Sequence, residues 1–394
     1  MPAPGNGPST RRTPNSNGGM RIGLDGDILG RRRTGDESYL VGLMRGLATV
    51  DRENDYVVYV RDVERVRPMF ADGHAFDFQA VTPRSIWLRF AYGLPAALRR
   101  EPVDLLHVQY FVPPRTRAPV VVTAHDISFA VHPEYFTRRD RLLLGRLVPW
   151  SLRRADQIIT DAEFTRDEMT RVYGLDPGRI AVIPLAADPR YRPLDRERCR
   201  ATVADRHGTH DGFLLYVGTL QPRKNVAALV EAYAEFRRRT RMPHKLVITG
   251  RPKYQFAPVF EAIARSGFER DIVFTGWVDD ADIPMYYNAA DAFVFTTLYE
   301  GFGLPVVEAM ACGTPVICSN NSCMPETAGS AAVLVNPRDV NSIAEAMVRV
   351  MTDSTERDRL REAGLRRSAE LSWERTARQT LTVYRDVMAR RNGR

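Results

Sequence analysis

Apolar residues gather along this chain in short runs that do not alternate with polar ones. Such runs occur at Met20–Asp25, Tyr56–Val60, Leu105–Val108, Val120–Thr123, Gln157–Thr160 and Ile180–Pro184. Continuous short runs predict strands covered on both faces. Helix-length segments separate them, among them an amphipathic stretch over Glu37–Ala48 and another over Arg138–Arg154. Alternation of strand and helix predicts a parallel, doubly wound sheet. A second set of strands follows at Phe213–Gly218, Lys245–Gly250, Ile272–Gly276, Ala292–Thr296, Thr314–Ser319 and Ala332–Val335, with helices over Val226–Arg238, over Asn341–Met351 and from Trp373 to Arg390. The two halves share a rhythm but no internal sequence repeat. Between them Leu185–His210 is polar, contains several prolines and lacks a long apolar run, which predicts an inter-domain linker. The 394 residues suit two domains better than one compact core.

One stretch concentrates candidate chemistry. After the strand containing Val294 and Phe295, the chain reaches Glu300, passes Gly301 and Gly303, and meets Pro305. Glycines allow the sharp turn, and proline suits the first turn of a helix, so a helix starts near Leu304. Glu300 then stands at a strand tip and Glu308 about one turn into the helix. The N–H groups of Phe302, Gly303 and Leu304 lie at a helix N-terminus, where hydroxyls or an anion bind. The alternative is a solvated turn with surface acids, but open α/β sheets bind ligands beyond the carboxyl ends of their strands.

Three further places share that location. Val120–Thr123 delivers His125 and Asp126 to a strand end; a hydrogen-bonded structural histidine is the alternative. Gly35 lies close to the N-terminus of the first long helix, where its backbone can approach a phosphate or simply make a turn. Gly218 and Thr219 lead to Arg223 and Lys224 at the mouth of a helix, a cationic turn suited to phosphate. Lys224 is the sharper candidate, because Lys245 and Lys253 are the only other lysines in an arginine-rich chain.

Composition narrows the class. The hydrophobic fraction of 44% and charged fraction of 26% are those of an ordinary globular protein. No apolar run approaches the length of a membrane span. Met1–Gly19, rich in Pro, Gly, Ser and Asn without an apolar segment, is expected to be a disordered tail rather than a signal peptide. Cys199, Cys312, Cys318 and Cys323 match no zinc spacing and are expected to be reduced thiols in a cytoplasmic protein. The formal charge of +8 fits attraction to phosphates or lipid surfaces as well as mere compositional bias. Two basic amphipathic stretches, Ile86–Arg100 and Arg138–Arg154, read first as helices with arginines in water, and alternatively as contacts for an acceptor or an anionic membrane. No G-x-G-x-x-G follows the first strand, which argues against a dinucleotide enzyme. Asp25-Gly-Asp27 is the nearest approach to a D-x-D cation motif.

Together these residues resemble the retaining glycosyltransferases of family 4, the group 1 family. The matching elements are Glu300 through Glu308 as an E-x7-E motif, Val217 through Asn225, Thr123 through Asp126, and the Gly35 loop. The resemblance implies the GT-B fold: α/β, two Rossmann-like doubly wound parallel-sheet domains facing a central cleft. Residues 20–195 would form the acceptor domain, joined by a returning helix at 373–394, and 196–372 the donor domain. It implies that Glu308 holds the ribose of a nucleoside-diphosphate sugar. Glu300, with the backbone at Phe302, Gly303 and Leu304, would hold the sugar hydroxyls. Gly218, Thr219, Arg223 and Lys224 would meet the diphosphate, Gly35 would reach it from the other domain, His125 would contact the hexose, and the base would lie near Val278. Thr219 stands where many relatives carry Arg, which places more of the diphosphate on Arg223 and Lys224.

The resemblance further implies retention by a front-face route without a metal or other cofactor. Mannose from GDP-mannose would pass to a glycan or lipid-linked acceptor at the inner face of the plasma membrane, with no nucleic-acid partner. Three rivals stay open on sequence. A glycoside hydrolase would use Glu300 and Glu308 but leaves Arg223 and Lys224 without a purpose; the others are a nucleotide-sugar epimerase and a non-catalytic sugar-nucleotide-binding protein.

Overall fold

A computed structural model describes residues 18–31, 35–70, 76–252 and 256–393. The expected tail lies outside these residues except for Gly18 and Gly19, as do positions 32–34 of the loop before Gly35.

The first sheet contains β1 (Arg21–Asp25), β2 (Asp55–Val60), β3 (Phe76–Ala80), β4 (Leu105–Gln109), β5 (Val120–Thr123), β6 (Gln157–Thr160) and β7 (Ile180–Val182). Its order is β3-β2-β1-β4-β5-β6-β7, with every pairing parallel. The second contains β8 (Phe213–Val217), β9 (Lys245–Thr249), β10 (Ile272–Gly276), β11 (Ala292–Phe295), β12 (Val316–Ser319) and β13 (Ala332–Val335) in the order β10-β9-β8-β11-β12-β13, again parallel. This is the GT-B arrangement of two Rossmann-like domains. Strands such as β5 and β11 are buried along their whole length, as their apolar runs require. In each sheet the chain reverses its direction of travel beside the first strand, and the loops leaving the strand ends there open into the space between the domains.

Three expectations are corrected. β3 was not foreseen: it is an edge strand, only partly buried, and Phe76-Asp-Phe-Gln-Ala lacks the continuous apolar character of its neighbours. The stretch Leu185–His210 is not wholly linker, because Arg196–His207 forms a helix capped by Asp195 and closed by Gly208 in the left-handed region. Its apolar side is sparse, with Cys199, Val203 and Ala204 buried, so no long run announced it. Arg89, expected in water, is buried in a π-helical turn, Arg89–Gly93. Its guanidinium meets Asp25 at 2.7 Å and Asp27 at 3.3 Å and donates to the Tyr59 carbonyl. Asp27 also binds Arg61 and Arg31, so Asp25-Gly-Asp27 is the hub of an arginine cluster.

The last helix, Trp373–Asn392, returns across the first domain and packs on the opening helix Gly35–Val50. Gly42 and Gly46 permit the approach: a Cβ at Gly42 would stand 2.1 Å from the Trp373 ring, and one at Gly46 2.3 Å from the Trp373 carbonyl oxygen. Further along, the Tyr384 hydroxyl reaches His107 Nδ1 at 2.6 Å.

Candidate functional site

The turn after β11 places the two acids. β11 ends at Phe295, and the chain runs through buried Thr296 and Thr297 to Tyr299 and Glu300. Gly303, at φ 89°, then opens the helix Leu304–Ala311, with Pro305 in its first turn. The positive φ favours glycine at 303, and a Cβ there would also press on the end of the Met324 side chain. Glu308 projects from the helix, and Tyr287 donates its hydroxyl to Glu308 Oε2 at 3.1 Å.

Glu300 is 7% exposed and lies in a buried ion cluster. Lys224 Nζ is 2.6 Å from Oε1 and Arg223 Nη1 3.0 Å from Oε2. Arg223 also donates to the Tyr299 carbonyl, and its own carbonyl accepts from the Leu298 N–H, so the two loops are laced together. Burial disfavours the Glu300 charge, yet Arg223 and Lys224 outweigh it and hold the carboxyl below its ordinary range. For Lys224 burial wins: with Arg223 beside it, and with Glu300 and more weakly Asp126 opposing, the ammonium pKa falls to about 8. The ammonium also lies 5.0 Å from the Phe295 ring centre. The expectation gave Glu300 to the sugar and the two cations to the diphosphate as separate devices. The structure brings all three together as one.

Across the cleft, His125 follows β5. Its Nδ1 is 2.7 Å from Asp161 Oδ2 and its Nε2 is 3.0 Å from Gln109 Oε1. Burial opposes a charge on the ring, but Asp161, with Asp36 and Asp126, overcomes it and lifts the pKa to about 9. Asp161 and Gln109 were not singled out from sequence. Asp161 sits immediately after β6 and Gln109 is the last residue of β4, so the strand-end rule that found His125 could have found both.

A cavity of about 450 Å³ lies between the domains. Every residue expected to act in the site lines it: Gly35, His125, Gly218, Thr219, Arg223, Lys224, Val278, Glu300, Phe302, Gly303, Leu304 and Glu308. Asp36, Asp126, Asp161, Arg251 and Trp277 join them. Gly35 is the first residue of its helix. A buried array of cations opposite a helix N-terminus and a histidine is suited to an anionic, hydroxyl-rich ligand.

The domains touch directly beside this cavity. The Tyr299 hydroxyl donates to Glu168 Oε2 at 2.5 Å, and Glu326 Oε1 accepts from the Glu163 N–H at 2.9 Å, capping the helix Glu163–Tyr173 from the opposite domain. Among the described residues, no helix is long and apolar enough to cross a membrane.

Comparison with known proteins gives the same picture. The profile of the group 1 glycosyl transferases matches residues 203–367, and that of Glycosyltransferase Family 4 matches residues 34–191. The chain is 33% identical over 289 residues to O-antigen chain mannosyltransferase B of Escherichia coli, covering 73% of this chain and 76% of that one. Sucrose-phosphate synthase from Thermosynechococcus elongatus shares the fold, with a TM-score of 0.75 at 21% identity over 94% of this chain and 99% of that one. So does the Anabaena protein HepE in complex with UDP-glucose, with a TM-score of 0.74 at 18% identity over 93% and 100%.

Proposed function

The chain belongs to glycosyltransferase family 4, and from that premise we propose that it moves a mannosyl residue from a nucleoside-diphosphate sugar, GDP-mannose, to a hydroxyl of a glycan or lipid-linked acceptor, with retention of configuration. That it is a sugar-transferring enzyme follows from the family. The choice of mannose draws on the resemblance to O-antigen chain mannosyltransferase B.

The observation that carries the reading is the convergence of Glu300, Arg223, Lys224 and Glu308 from one domain with Gly35 and His125 from the other on one cavity. Arg223 and Lys224 bind the diphosphate and stabilise it as the glycosidic bond breaks. Glu300 orients the sugar hydroxyls, Glu308 the ribose, and Val278 lies against the base. The phosphate's charge is met by side-chain cations and the helix N-terminus at Gly35, so a metal has no required part. Acceptor hydroxyl and leaving phosphate share one face of the sugar, and a phosphate oxygen takes the acceptor's proton. The helix Arg138–Arg154 exposes Leu142 and Trp150 among its arginines. That face supports peripheral contact with an anionic membrane at its cytoplasmic side.

A thermal-shift screen against GDP-, UDP- and ADP-sugars tests the donor, because a ligand of the native state raises the melting temperature. GDP-mannose is expected to give the largest shift in wild type and little in Glu308→Ala, with or without EDTA. An equal shift in the variant would remove the ribose role. Release of GDP with an inverted product anomer, or epimerised donor without acceptor, would overturn the reaction proposed.

A further inference from the structure

Strands β4, β5 and β6 lie side by side in the first sheet, and their carboxyl ends carry Gln109, His125 and Asp161 in a row. His125 is the middle member. Its two ring nitrogens face an acceptor on either side: Asp161 Oδ2 at 2.7 Å and Gln109 Oε1 at 3.0 Å. A neutral imidazole has one donor and one acceptor nitrogen, whereas an imidazolium has two donors. With Gln109 Oε1 facing the ring, the imidazolium satisfies both contacts; a neutral ring would need the Gln109 amide turned over to donate its NH2.

Asp161 points the same way. It is 1% exposed, its Oδ1 has no hydrogen-bond partner, and its Oδ2 is bonded to His125. A carboxylate buried so sparsely needs a cation beside it. We propose that Asp161 is a positioning residue that holds His125 as an imidazolium, with its Nε2–H kept as a donor that passes from Gln109 to the bound nucleotide sugar. This rests on the reading of the cavity as a nucleotide-sugar site.

The surroundings fit the assignment. Asp36 and Asp126, which also line the cavity, add negative potential at His125. The Tyr39 ring packs edge-on at 4.6 Å between centroids, and that of Tyr110 at 5.9 Å. His107, on β4, is the other imidazole of this region; burial and the charge on His125 lower its pKa to about 3, so it stays neutral between Tyr384 and Thr123. The Asp161–His125 pair is neutral as a whole. It therefore offers the donor a strong N–H without placing uncompensated positive charge beside a sugar that itself becomes oxocarbenium-like.

The test is titration of His125 by 15N NMR in histidine-labelled full-length protein, assigned with His125→Gln. Wild type is expected to show both ring nitrogens protonated at pH 7.5; a neutral ring there overturns the proposal without any need of a second variant. In Asp161→Asn the midpoint is expected to fall to or below the ordinary histidine range, and kcat to drop at least about tenfold at pH 8 while recovering toward pH 6. A His125 midpoint unmoved by the substitution, or a loss of kcat equal at every pH, would show a merely structural carboxylate. The titration needs no substrate. If it behaves as expected while no nucleotide sugar binds, the pairing stands and the functional reading falls.

Discussion

Gly301 lies against His125 so closely that a Cβ at position 301 would stand 2.0 Å from the His125 carbonyl oxygen and 2.8 Å from its carbon. The two residues belong to opposite domains, so backbone meets backbone across the mouth of the cavity. Both neighbours in the contact are main-chain atoms and cannot swing aside. Gly301→Ala is therefore expected to hold the domains apart. Donor affinity should fall at least about tenfold, about 1.4 kcal/mol, with the melting temperature of the free protein little changed. Small-angle scattering should show a larger radius of gyration in the presence of donor than wild type has. Unchanged affinity and radius would mean that the contact is dispensable.

Glu300 is the sole carboxylate in direct ion-pair contact with both Arg223 and Lys224 among the described residues. Removing it leaves buried Lys224 and partly buried Arg223 without their ion-pair partner, with only the more weakly acting Asp126 as counter-charge. We predict that Glu300→Ala destabilises the native state by about 3–5 kcal/mol, the usual consequence of breaking a buried pair from one side. Urea unfolding followed by circular dichroism measures this. A loss below about 1 kcal/mol would be that of a solvent-screened pair.

Lys224 sets a pH limit on donor binding. With its folded pKa at about 8, against an ordinary 10.5, the ammonium begins to lose its proton just above neutrality. Between those values the unfolded chain binds more protons than the native state, so this group makes stability rise with pH across that window. Affinity for the donor moves the opposite way, because a neutral amine does not attract diphosphate. Calorimetric titration is expected to show weakening as pH rises through about 8, and Lys224→Arg should abolish that inflection. An inflection that survives in the arginine variant would have another origin.

Gly42 and Gly46 are expected to be as intolerant as Gly301, for a different reason. Each would drive a Cβ into Trp373, displacing the last helix from the first domain. Overpacking of this kind costs about 1–3 kcal/mol. Gly42→Ala should lower the melting temperature and shift tryptophan emission to the red. If thermal stability matches wild type, the two helices are not held by this contact.

Legibility in the sequence followed the range of the interaction. Strand and helix positions, the turn before Leu304 and the cationic turn at Arg223 and Lys224 depend on neighbouring residues, and the apolar runs, glycines and prolines that encode them are visible in the chain. The edge strand Phe76–Ala80 and the helix Arg196–His207 escaped because little of either is apolar and buried. The burial of Arg89 escaped because its partners, Asp25 and Asp27, lie on another strand end.

By itself the sequence determined the fold class, the strands of both domains other than the edge strand Phe76–Ala80, and the membership of every candidate residue in a strand-end loop or helix start, since these follow from local periodicity and backbone stereochemistry. Tertiary structure alone decided the partners. Glu300 and Lys224 are 76 residues apart in the chain and 2.6 Å apart in space, and His125 meets Asp161 across 36 residues. Those meetings depend on which strands lie side by side in each sheet, and the meeting of the two groups across the cavity on how closely the two sheets face each other. Strand order and domain closure are set by the whole core at once, so no local pattern of residues records them.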